Sequence, residues 1–239
     1  MKKHCSTLFL FAMIPVTLFV FISPLPPFSL SRFPAVPACA QDKQPAGEMI
    51  KLPAPQHQGS VSVEKALTER RSVRSYREDP LTIPEISQLL WACQGITEPK
   101  RGLRTAPSAR AAYLLEVYLL SGNVANLQKG MYRYEPNGHG LEKVADGDIK
   151  GELFKAVGQA PIKNAPAVLV FFGKSERTTT QRWIFLEAGH AAQNVYLQGI
   201  SLGIGGVVMA GFMDESVRKA LNMPENRQPV YIMPIGRVK

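Results

Sequence analysis

Apolar and polar positions divide the chain into short elements of differing period. Ser62 before Val63, Ala66 and Leu67, with Glu64 in the first turn, predicts a short helix ending near Arg70. Thr82 and Pro84 followed by Ile86, Leu89, Leu90 and Cys93 predict a second helix that stops at Gly95. The stretch "RGLRTAPSAR", residues 101–110, has no period and reads as a loop. The leucine- and tyrosine-rich run from Tyr113 to Leu120 predicts a strand, and "GMYRYEPNGHGLEKV" predicts a hairpin around its Asn-Gly turn. Asp148 can cap a helix through Leu153, Phe154 and Val157. "APAVLVFFG" reads as a buried strand from its length and β-branched content. A long helix follows from about Trp183 to Leu202, with Ala, Gly and Gln concentrated on one face. Asp214 can cap a short helix through Val217 and Leu221, and "VYIMPIG" closes the chain as a strand. Helices and strands mix without regular βαβ alternation, which predicts an α+β sheet.

The first forty residues follow a different pattern. Lys2 and Lys3 precede the apolar run Leu8 to Ile22, no acid occurs before Asp42, and Ala38-Cys39-Ala40 offers a small-residue cleavage site. Charged start, apolar stretch and A-x-A site predict a secretory signal over residues 1–40, with export to the periplasm. Pro15 interrupts the run, which is shorter than the roughly 20 residues of a membrane-spanning helix. "VPAC" ending at Cys39 offers lipidation of that cysteine as the lesser alternative. Residues 41–59 are polar and proline-rich and read as an extended lead-in, leaving 60–239 as one domain.

Composition sharpens this division. The 239 residues carry a formal charge of +9, and loss of Lys2, Lys3 and Arg32 with the signal lowers it to +6. That balance favours anionic ligands without demanding nucleic acid. Of three cysteines only Cys93 lies beyond the cleavage site, which excludes an internal disulfide and a CxxC metal site.

Four segments can carry chemistry. "RRSVRSY" places Arg70, Arg71 and Arg74 around Ser72, a spacing that suits a phosphate held by guanidinium forks and one hydroxyl. A solvated, salt-bridged helix end explains the same residues, and the cluster is too short for a nucleic-acid surface. In "RTAPSAR", Pro107 and Ser108 can offer backbone N–H and a hydroxyl, or form an ordinary turn. Gly203, Gly205 and Gly206 permit close backbone approach or a tight helix exit, and they follow a helix, which excludes a dinucleotide fingerprint. Arg237 and Lys239 can reach an anion or stay solvated. His57, His139 and His190 fall in the lead-in, a turn and the small-residue helix, and no GxSxG or HExxH is present to support hydrolase or zinc chemistry.

Taken in order, "RRSVRSY", "IPEISQLLWACQGIT", "RTAPSARAAYLLEVYLL", "GMYRYEPNGHGL", "EAGHAAQNVYLQGISLGIGGV" and "PIG" resemble the nitroreductase-like flavoproteins, in particular their SagB-type (thiazoline-oxidase-like) branch, over about Ile50 to Gly236. The resemblance implies a mainly antiparallel central sheet flanked by helices, an intertwined homodimer, and FMN bound at the dimer interface. It implies that Arg70, Arg71, Ser72 and Arg74 hold the FMN phosphate and ribityl chain. By the same resemblance Pro107, Ser108 and Ala109 approach the flavin from the other subunit. Gly205 and Gly206 would lie against its ring, and Arg237 would add a phosphate contact. Small-molecule oxidoreduction is the implied activity, and a flavin- or anion-binding module without turnover is the alternative class. One position departs from the family loop: glycine commonly follows "PSA", whereas Arg110, Ala111 and Ala112 follow here.

Overall fold

The computed structural model describes residues 49–174 and 178–239. The expected signal and residues 41–48 of the lead-in lie outside the described residues. A seven-stranded sheet forms the centre, in the order β1-β6-β5-β4-β7-β9-β8, with every neighbouring pair antiparallel. Its strands are β1 (Met49–Lys51), β4 (Leu115–Ser121), β5 (Gly130–Glu135), β6 (Gly140–Asp146), β7 (Ala167–Lys174), β8 (Ile204–Gly206) and β9 (Arg227–Arg237). Strands β2 (Ile96–Glu98) and β3 (Leu103–Arg104) form a separate two-stranded ribbon.

The apolar run in β7 is continuous because both faces of the strand are covered. Leu169 and Phe171 join one core with Leu89, Leu90 and Cys93 of α2 (Ile83–Gln94) and with Ile184, Ala188, Ala191 and Val195 of α5 (Thr178–Leu202). Val168, Val170 and Phe172 point the other way, toward Leu153 of α3 (Ile149–Val157), Ile162 of α4 (Ala160–Asn164) and Val217 of α6 (Asp214–Ala220). Alanines on the inner stripe of α5 let that helix lie close to the sheet. At Gly173 a Cβ would run into Ile184, so the strand is stripped of a side chain where α5 crosses it.

Most predicted elements are present, with differences that have local causes. Helix α1 (Val63–Glu69) starts where Ser62 Oγ accepts from Lys65 N, and α2 starts where Glu85 Oε2 accepts from both the backbone N–H and the hydroxyl of Thr82. Asp148 caps α3 through Gly151 N, and Gly158 ends it in the left-handed conformation. Asp214 is the first helical residue of α6 with Met213 as its cap, one residue from expectation. The lead-in contains β1, which pairs with β6. The stretch read as a loop, 101–110, contains β3 and enters a 3₁₀ turn at Ala109–Ala111. Strand β4 begins at Leu115, two residues late, because Tyr113 has φ 46° and cannot sit in a strand.

Candidate functional site

Helix α1 ends at Arg70, and the chain leaves it extended. Val73 N donates to Gly206 O (2.8 Å), Arg77 N donates to Arg237 O (3.0 Å), and Ser72 forms a parallel bridge with Gly206. The arginine segment is thereby held along the β8–β9 edge by isolated bridges from Ser72 to Gly206 and from Tyr76 to Val238. Tyr76 fastens it: the buried ring directs its hydroxyl to Val73 O (2.9 Å) and Pro234 O (3.1 Å), and burial pushes that hydroxyl well above the ordinary phenol range. Gly205 is glycine because a Cβ there would sit 2.5 Å from Val73 Cγ2, and a Cβ on Gly206 would sit 2.8 Å from Pro234 O. Gly205 therefore admits this segment to the sheet edge, whereas Gly206 makes room for β9 itself.

The docked segment carries three cations, Arg70, Arg71 and Arg74. Arg70 lies with its Cζ 5.3 Å from the Tyr196 ring centroid, and the Tyr196 hydroxyl accepts from Val208 N (2.7 Å). Arg71 folds one nitrogen back onto Thr68 O and Arg70 O, and Arg74 reaches Ser72 O at 3.4 Å. Among the described residues no carboxylate pairs with Arg70, Arg71 or Arg74. Their neighbours are different: Arg77 is matched by Asp79 (2.7 Å), and Arg237 by Glu85 (2.9 Å), the residue that also caps α2. Ser72 is exposed beside the unmatched guanidiniums. Guanidinium donors without an acid and a free hydroxyl fit a phosphate group.

Pro107, Ser108 and Ala109 belong to a second group. Ser108 Oγ donates to Glu187 Oε2 (2.7 Å) and accepts from Tyr113 N (2.9 Å). Gln94 Nε2 donates to Glu187 Oε1 (3.0 Å), and Arg104 donates to Gln94 Oε1 (3.1 Å). Arg104 also stacks on Tyr113 at 4.4 Å, and its backbone N–H donates to the Tyr113 hydroxyl. Glu187 is 1% exposed. Burial lowers the Arg104 pKa, with Glu187 opposing the shift, while burial first and Glu187 second push the Cys93 thiol up. Sequence reading missed Glu187, Gln94 and Arg104. The signal for Glu187 was present: it interrupts the apolar stripe Ile184, Ala188, Ala191 on α5. Glu187 and Tyr196 stand nine residues apart on that helix, about 13 Å along its axis.

Two other features complete the surroundings. A cavity of about 480 Å³ opens between the lead-in, α1, α2 and α5, where His57 stacks on Trp91 at 5.1 Å and Gln88 holds the Gln56 backbone. His139 links Ser87 Oγ (2.7 Å) to the Tyr134 hydroxyl (2.8 Å). Ser87 is buried and its own hydrogen goes to Pro53 O (2.6 Å), so this array is a clasp for the lead-in and holds no free nucleophile. Among the described residues no cluster of His, Cys, Asp and Glu is placed to hold a metal, and no helix is long and apolar enough to cross a membrane.

The nitroreductase family profile matches residues 67–237, a span that takes in both groups. The chain belongs to the nitroreductase family and is an oxidoreductase of that family. It is 38% identical over 198 residues to MJ1384 of Methanocaldococcus jannaschii, covering 80% of this chain and 98% of that protein. The Escherichia coli microcin B17-processing protein McbC is 28% identical over 175 residues, 67% of this chain and 64% of McbC. The crystal structure of a nitroreductase-like protein from Ralstonia eutropha JMP134 superposes with a TM-score of 0.69 at 29% identity, over 80% of this chain and 90% of that one. The mixed fold with a mostly antiparallel sheet is that of these proteins.

Proposed function

We propose that the chain is an exported, FMN-dependent oxidoreductase that acts on a small organic substrate as a homodimer. The observation that carries this reading is the acid-free cluster of Arg70, Arg71 and Arg74 with Ser72, docked on the β8 edge of a nitroreductase fold. Bound there, FMN would supply two-electron chemistry at its N5. The chain's part is to hold and orient. Arg70, Arg71, Arg74 and the Ser72 hydroxyl bind the phosphate, and Arg237, whose carbonyl accepts from Arg77 N and whose side chain is paired with Glu85 of α2, would add a further phosphate contact. Gly205 and Gly206 would offer the ligand their backbone, on the side away from Val73 and β9. Pro107, Ser108 and Ala109, braced by Glu187, face the ring of the partner's flavin.

The homodimer reading draws support from α5, which leaves Phe185 and Leu186 45% and 56% exposed, large apolar groups that a second copy would cover. Export draws on Lys2, Lys3, the Leu8–Ile22 run and Ala38-Cys39-Ala40, and places the enzyme where nicotinamide donors are scarce. Purified mature protein tests the reading by its absorption spectrum. A yellow chromophore that bleaches with dithionite and returns on adding a quinone is expected. Colourless protein that takes up no added FMN would overturn it, and bound flavin that never reoxidises with any acceptor would make the chain a binding module.

A further inference from the structure

The loop that follows Ser108 is held in a conformation its residues disfavour. Arg110, Ala111 and Tyr113 have φ of 56°, 51° and 46°. Among the described residues the other left-handed non-glycine positions are Asn126 and Asn222, which tolerate the region, and His139, which the clasp holds. Arginine, alanine and tyrosine have no such tolerance, so the surroundings must impose the shape. They do: Ala111 N and Ala112 N close on Ser108 O and Ala109 O, Tyr113 N on Ser108 Oγ, and Ser108 on buried Glu187. The product of this bracing is the position of Arg110. Its side chain is exposed, has no carboxylate partner among the described residues, and lies with Cζ 5.8 Å from the Trp183 ring centroid. Glycine would relax the backbone at this point, yet the chain carries its bulkiest cation there, which directs attention to the guanidinium itself.

We infer that Arg110, backed by Trp183, is a specificity-determining residue that selects planar acceptors bearing a carboxylate. The inference rests on the proposed function, which sets the neighbouring Pro107, Ser108 and Ala109 at the flavin. An acceptor approaching that ring meets Arg110 at the rim, where the flat guanidinium can fork to a carboxylate and the indole can cover the acceptor's ring. A neutral acceptor gains only the ring contact. The charge is therefore a discriminator between acceptors of one shape.

The test compares 4-nitrobenzoate with nitrobenzene, which differ by the carboxylate alone, on the full mature chain and on Arg110→Gly and Arg110→Lys. Arg110→Gly suits φ 56° and keeps the fold. Binding is read by quenching of tryptophan fluorescence, which needs neither flavin nor turnover, and catalysis by the ratio of kcat/KM for the two acceptors. Wild type should favour 4-nitrobenzoate about tenfold in both readouts, Arg110→Gly should lose that preference, and Arg110→Lys should keep part of it. Equal affinity for the two compounds in wild type, or a preference that survives Arg110→Gly, overturns the inference. If FMN fails to bind while the fluorescence preference holds and disappears in Arg110→Gly, the proposed function falls and the carboxylate site stands.

Discussion

Arg70 and Arg74 differ from Arg77 and Arg237 in one respect that matters for chemistry: no carboxylate among the described residues pairs with them. Removing both in an Arg70→Ala/Arg74→Ala variant should weaken FMN binding by roughly ten- to a hundredfold, since a charged hydrogen bond contributes about 1.5–3 kcal/mol before solvent screening reduces it. Equilibrium dialysis reads this directly, and thermal stability should barely move because neither side chain is buried in the core. His139 gives a residue-scale prediction of a different kind. Burial holds its pKa below the ordinary histidine value, so the unfolded chain takes up the proton first. Stability is therefore full above about pH 6.5 and falls as the pH drops through the ordinary value toward the lower folded one. Melting curves between pH 8 and pH 5 should show this decline, and His139→Asn, which suits the left-handed backbone, should flatten it. A decline of equal slope in that variant would remove the clasp from the account.

The extended segment from Ser72 to Tyr76 is the element on which the site depends, and β8 receives it because Gly205 leaves room for Val73. Gly205→Ala should drive a methyl into Val73, costing about 1–3 kcal/mol by overpacking and loosening the arginine segment. Urea unfolding and FMN titration on the same variant should then change together. Loss of stability with unaltered FMN affinity would mean that the phosphate is held elsewhere. Glu187 is the matching brace for the other loop: Glu187→Gln keeps the size but turns one bond to Ser108 or Gln94 into an unsatisfied contact. Limited proteolysis should cut the 108–113 loop faster in that variant, with the spectrum of bound flavin shifted.

The whole molecule was legible in the sequence wherever period or capping spoke clearly. The buried run of β7, the Thr82–Pro84 start of α2 and the Asp148 cap of α3 all report local physics, and each stands where the pattern put it. Strands β2 and β3 are two or three residues long and show no period to find. Strand β8 reads "IGG", and its glycines argue against a strand until the packing of Val73 on Gly205 and of β9 on Gly206 supplies their reason. Of the candidate site, the residue types were visible and their partners were not. The bridge from Ser72 to Gly206 and the bond from Ser108 to Glu187 join segments far apart in the chain. Arg237 looked free at the chain end and is paired with Glu85. The central claim is that the acid-free arginines hold the FMN phosphate, and the most direct test is the FMN dissociation constant of wild type beside Arg70→Ala/Arg74→Ala. Wild type should bind tightly and the variant should lose roughly ten- to a hundredfold in affinity. Equal affinity in the two proteins would contradict it.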